Sequence, residues 1–231
     1  MIYPGYYFDP TMIILLPAII FTMYAQYKVS STTNRYFRVN TYKGYTGERT
    51  AREILDYNGL HDVDVEMVRG RLADHYDPRR KVVRLSQDVY YGTSITSVAV
   101  AAHECGHAIQ HAKGYVPLNV RSSLVPIVNF ASNMSWFLIA IGFMFQGGPL
   151  LDIGILLFSA SVLFQVVTLP VEFNASSRAI VQMSNLGIVD GKEVSQSKKV
   201  LTAAALTYVA AALTSILQLV RLIAIANRND D

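Results

Sequence analysis

Cysteine is almost absent from this chain of 231 residues. Cys105 stands alone, so no intramolecular disulfide can form. Charge is scarce as well: Asp, Glu, Lys and Arg make up 16% of the sequence, against about 25% in an ordinary soluble domain. They are missing altogether from four windows, residues 10–27, 122–151, 153–171 and 200–220. A helix needs roughly 20 mainly apolar residues to cross the hydrocarbon core, with about 17 as a lower limit. The last three windows satisfy this comfortably. The first meets the limit with Pro17 inside it, and proline is tolerated in membrane helices. No basic residue precedes Lys28, whereas a cleaved signal peptide opens on a basic stretch; the expectation is a retained first span. Despite a formal net charge of +3, no basic run is interleaved with base-stacking aromatics, which argues against a nucleic-acid partner. Internal repeats and low-complexity segments are absent too.

The distribution of the few charges sets a topology. Tyr3, Tyr6, Tyr7 and Phe8 suit a membrane–water interface ahead of the first span. Residues 28–121 carry 14 of the 20 Lys and Arg, the connection Gln146-Gly147-Gly148-Pro149 carries none, and residues 172–199 carry Arg178, Lys192, Lys198 and Lys199. Positive-inside counting puts both polar segments in the cytosol and the amino terminus outside. The tail, with Arg228 and two aspartates, then also lies outside. The expected organisation is a first span over 1–27, a small domain over 28–121, a transmembrane hairpin over 122–171, a cytosolic segment over 172–199 and a last span with the tail over 200–231.

Within 28–121, Thr46 is placed to cap a helix from Gly47 to about Tyr57, stopped by Asn58-Gly59. Val63, Val65 and Met67 alternate as a half-buried strand does. A second strand fits 81–85, after the turn residues Asp77-Pro78. A helix from about Ser94 to Ala112, ended by Gly114, then carries His103-Glu104-Cys105-Gly106-His107. A helix turns about 100° per residue, so histidines four apart lie about 40° apart and one turn along. Both imidazoles can reach one Zn²⁺, while Glu104 faces the metal-bound water as a general base. Cys105, at a variable position of the motif, is expected to pack rather than ligate. The order helix, strands, metal helix suits a zincin-like layer, in which an edge strand can hold a peptide by main-chain pairing. The fold class expected is therefore a mainly α membrane protein with about four transmembrane helices and a small zincin-like α+β domain on the cytosolic face.

Catalytic zinc takes three protein ligands and leaves one position for water. His111 and Glu172 are the candidates for the third. His111 lies eight residues after His103, rotated about 80° and some 12 Å along an unbroken helix, so the three histidines cannot converge on one ion. The metzincin pattern breaks its helix with a glycine three residues past the second histidine; here that position is Gln110. His111 is expected to support a ligand or to lie exposed near the helix end. Glu172 follows the third span, and the two crossings between it and the metal helix return the chain to the same membrane face. Parity permits Glu172 to complete the site.

Three stretches together, Asp74-His75-Tyr76-Asp77-Pro78-Arg79, His103 to His111, and Pro170-Val171-Glu172-Phe173-Asn174-Ala175-Ser176, resemble the YugP-type group of bacterial neutral zinc metallopeptidases of the membrane. The resemblance covers nearly the whole chain. More distantly the chain is similar to HtpX-type membrane proteases, where the third ligand opens a Glu-x-x-Ala-Asp motif whose aspartate supports a zinc histidine. Here Ser176 occupies the aspartate position, and a serine cannot supply that charge. The resemblance implies a gluzincin-like zinc endopeptidase of the bacterial inner or plasma membrane. Its Zn²⁺ would be held by His103, His107 and Glu172, with Glu104 as base, a cytosol-facing site, and peptide or protein substrates, membrane proteins among them. His75 is a candidate donor to the oxyanion of the tetrahedral intermediate, though a turn histidine bonded to its own backbone fits equally well; Arg178 and His111 are weaker candidates.

Two other readings compete. A protease that cuts inside the bilayer would carry its motif within a long apolar span, whereas His103, Glu104, His107 and His111 make this stretch too polar for one. A zinc-stabilised scaffold or chaperone-like protein without turnover has no need of Glu104, and structural zinc fills all four positions with protein ligands.

Overall fold

The computed structural model describes residues 10–70, 73–145 and 148–229. The aromatic stretch near the amino terminus, Gln146 and Gly147 of the 146–149 connection, and the final aspartates lie outside the described residues. A 3-10 turn (Pro10–Leu15) leads into α1 (Leu16–Tyr36), followed by α2 (Gly47–Tyr57), β1 (Asp64–Val68), β2 (His75–Asp77), β3 (Val82–Ser86), α3 (Gln87–Tyr90) and α4 (Ile95–Ala112). Three long helices complete the chain: α5 (Val116–Met144), α6 (Pro149–Asn185) and α7 (Gly191–Asn229). The protein is mainly α; the described residues form one small sheet and include four helices long and apolar enough to cross a membrane: Pro10–Tyr36, Val116–Met144, Pro149–Asn185 and Gly191–Asn227.

These helices overrun the uncharged windows. α6 continues through Glu172 to Asn185, and α7 begins nine residues before Val200. Loss of charge marks where a helix can enter hydrocarbon; it does not mark where the helix ends. Nothing between Val171 and Asn185 is a glycine or proline, so the backbone has no reason to stop.

The chain divides into two compact units. One comprises residues 1–24, 123–166 and 209–231. Its interior is small or tightly meshed: a Cβ on Gly142 or Gly154 would collide with Leu151 or Ile139, while Ile139, Leu151, Phe158 and Leu222 pack together. Its outer faces carry Ile13, Ile20, Phe130, Phe137 and Leu156, all exposed. Small residues inside with large apolar side chains outside is the pattern of helices packed within lipid.

The other unit comprises residues 25–122 and 167–208. Thr46 Oγ1 accepts from Arg49 N at the start of α2, and Ser94 Oγ accepts from Ser97 N at the start of α4; each satisfies a backbone donor the first helical turn leaves orphaned. α2, α4 and the sheet close over Ile54, Leu55, Val83, Leu85, Val98 and Ile109. The strand order is β1-β3-β2, with β1 parallel and β2 antiparallel to β3. The sequence suggests two strands, one over 63–67 and one over 81–85. The structure adds a third: β3 is central, its four buried residues explained by neighbours on both sides, and the edge beside α4 is the three-residue β2. The motif around His75 builds that edge. Asp74 accepts from the backbone and hydroxyl of Ser86, and Asp77 Oδ1 accepts from the backbone of Arg79 and Arg80 in the turn.

Candidate metal centre

α4 runs unbroken from Ile95 to Ala112, and Lys113 and Gly114 end it, Gly114 in the left-handed region at φ 61°. His103 and His107 therefore share one face, their rings edge to face with centroids 4.8 Å apart. α6 crosses this helix closely because Gly106 has no side chain. A Cβ there would lie 2.6 Å from the Ala175 carbonyl oxygen, inside any real carbon–oxygen contact. The variable glycine of the motif is thus what admits α6, and with it Glu172.

Glu172 is 2% exposed. Its Oε2 lies 3.3 Å from Nε2 of His103 and 3.6 Å from Nε2 of His107, while Oε1 lies 3.3 Å from Arg121 Nη1 on α5. Two imidazole nitrogens and one carboxylate oxygen fall within 4.8 Å of one another. Charge-assisted hydrogen bonds run about 2.7–2.9 Å, shorter than either imidazole distance. Donors each about 2.0–2.1 Å from one tetrahedral ion stand about 3.3–3.4 Å apart. The observed spacing and the nitrogen–nitrogen–oxygen donor set fit a divalent zinc ion.

The far side of each imidazole is fixed as well. Nδ1 of His103 lies 3.2 Å from Ser176 Oγ, and Nδ1 of His107 lies 3.0 Å from Gln110 Oε1. The Gln110 amide group donates to the Val171 carbonyl and to Asn174 Oδ1, which also accepts from Arg178 Nε. With its nitrogen so committed, Gln110 offers oxygen to His107. Both histidines can then donate through Nδ1 and keep the Nε2 lone pair for a metal. Ser176 does by hydrogen bonding part of what a carboxylate would do by charge. Burial alone depresses the pKa of His107, yet the carboxylates of Glu172 and Glu104 close by hold it above its usual range. A field that favours a proton there favours a cation.

Glu104 is buried at 9% exposure and acts electrostatically on His107. Tyr208 on α7 lies within the electrostatic reach of Glu172 and Glu104. His111 is held elsewhere: its Nδ1 lies 2.9 Å from the Tyr76 hydroxyl. Burial first, then Asp62 and Asp77, push Tyr76 up to about 12, so the hydroxyl keeps its proton. His75 is exposed on β2, with Nδ1 donating to the Ala73 carbonyl at 2.8 Å, and is not brought into the cluster. Cys105 is fully buried, its thiol pushed up by burial and directed at the Ala51 carbonyl. Arg178 reaches the centre only through Asn174.

Gln110, Asn174, Arg121 and Tyr208 are not anticipated by the sequence. Gln110 alone left a signal, since three residues past His107 it must share that histidine's face. Gln110→Ala should free the His107 ring and weaken zinc binding by roughly 10- to 100-fold, measured by equilibrium titration. Wild-type affinity in that variant would remove Gln110 from the site.

A family model described as "Putative neutral zinc metallopeptidase" matches residues 11–227. The chain is 51% identical over 210 residues to "Putative membrane protease YugP" of Bacillus subtilis (strain 168), covering 91% of this chain and 93% of that protein. No solved structure matches.

Proposed function

The chain belongs to the "Putative neutral zinc metallopeptidase" family, and from that membership we propose that it is a membrane-bound zinc endopeptidase of the gluzincin kind. The observation that carries the reading is the approach of Glu172, 69 residues after His103 in sequence, to both histidines of the H-E-x-x-H helix. His103, His107 and Glu172 would hold the ion and leave one position open to water. Zinc held there would lower the pKa of a water molecule toward about 7 and polarise the scissile carbonyl.

The rest falls to the chain's own groups. Glu104 takes the proton of the attacking water and delivers it to the departing amine. Ser176 and Gln110 fix the imidazole tautomers, and Arg121 anchors the Glu172 oxygen that faces away from the histidines. The open edge of β2, beside α4, is the surface on which an extended peptide would add a strand. Tyr208, within the field of Glu172 and Glu104, is better placed than the exposed His75 to donate to a developing oxyanion. A scaffold without turnover would leave Glu104, buried beside the centre, without a task.

The site is expected to face the cytosol of a bacterial plasma membrane. In a Cys105→Ala background, an impermeant thiol reagent on intact cells should label Pro149→Cys and spare Arg79→Cys and Lys192→Cys until the membrane is permeabilised. Labelling of Lys192→Cys without Arg79→Cys would put Glu172 and the metal helix on opposite faces and end the proposal.

A further inference from the structure

The charged ends of α1 and α7 form a groove that the metal centre does not use. Lys28, Ser31, Thr32 and Arg35 recur at i, i+3, i+4 and i+7, one face of α1. Ser195, Lys198, Lys199 and Thr202 repeat that spacing on α7. Both stripes line one cavity of ≈ 730 Å³, and no carboxylate lies among its walls. None of the four cations forms an ion pair among the described residues. Cations that face one another across a groove repel unless an anion lies between them. Hydroxyls spaced among them supply the donors that phosphate oxygens accept.

The height of the groove selects the anion. Lys28 is the first charge after the window 10–27, and Lys199 is the last before the window 200–220. Both helices therefore present their cations where they leave the apolar stretch, the level of lipid phosphates at a cytosolic leaflet. The remaining wall includes Tyr27, Ala203 and Leu206. A soluble phosphate gains nothing from such apolar surface, whereas the glycerol and upper acyl chain of a lipid would lie along it. We propose that this groove is a binding site for the phosphate headgroup of an anionic phospholipid.

Native mass spectrometry of the full chain in detergent, titrated with phosphatidylglycerol or phosphatidylcholine, reads single bound lipids. Each cation near the membrane surface contributes about fivefold in affinity for an anionic lipid. Phosphatidylglycerol should bind in clear preference to phosphatidylcholine. The pairs Lys198→Gln with Lys199→Gln, and Lys28→Gln with Arg35→Gln, should each weaken it by roughly 25-fold. Arg79→Gln with Arg80→Gln removes the same charge from the turn after β2 and should leave the preference intact. Equal loss in that control would mean net charge alone attracts the lipid and would overturn the site. Binding unchanged in both groove pairs, or equal affinity for the two lipids, would overturn it as well. Complete displacement by millimolar inorganic phosphate would reassign the groove to a soluble anion.

Discussion

Glu172→Ala should strip the protein of zinc while His111→Ala keeps it. Loss of the carboxylate leaves two imidazoles, too few for a site that takes three protein donors. The fall in affinity should exceed the roughly 10- to 100-fold that follows from disturbing a residue behind a ligand. His111 makes its hydrogen bond to Tyr76, so its removal acts only through the packing of β2 against α4. Glu172→Ala also strands Arg121 beside two neutral rings, which costs stability whether or not a metal binds. Glu172→Gln separates the two effects, since it keeps the shape and an acceptor for Arg121 yet offers a far poorer ligand. Equilibrium zinc titration of the three purified variants reads the result. Zinc held normally by Glu172→Gln and Glu172→Ala, with loss in His111→Ala, would mean that α4 breaks before His111 and that the third donor has been misassigned.

Glu104→Gln is the complementary case. It preserves volume and hydrogen-bonding capacity but removes the group that accepts a proton, so zinc should remain bound while peptide hydrolysis falls by a factor on the order of 10² or more. Because Glu104 is buried beside His107, replacing it by an isosteric neutral group should not destabilise the fold. Its loss of charge should instead lower the affinity of His107 for a proton, in keeping with the causes that raise that pKa. A variant that cleaves as fast as wild type would exclude Glu104 as the base.

Local patterns made much of the architecture legible. The caps at Thr46 and Ser94, the stop at Gly114 and the four uncharged windows are short-range signals, each tied to a backbone or solvation requirement that neighbours in sequence meet. β2 was not legible, because three residues are too few for alternation to register; its existence depends on Asp74 reaching Ser86 and on pairing with β3. At the candidate site, the two histidines come from helical spacing, while Glu172 rested on counting membrane crossings. The supporting groups lay beyond either argument. Gln110 finds Val171 and Asn174 across more than 60 residues, and Arg121 finds Glu172 across 51. Ser176 reads in sequence as a missing carboxylate; in the structure its hydroxyl still meets the His103 ring. Hydrogen bonds between distant helices become visible only once the close crossing at Gly106 is known.

Zinc at His103, His107 and Glu172 would make this protein a peptidase that uses Glu104. The most direct test follows cleavage of a fluorogenic peptide or unfolded protein substrate by the purified, chelator-stripped chain as zinc is returned. Activity should rise with bound zinc and level off at one ion per chain, and Glu104→Gln should take up the same single ion and stay inactive. Cleavage by the metal-free chain, or equal cleavage by zinc-loaded Glu104→Gln, would contradict a zinc mechanism with Glu104 as its base.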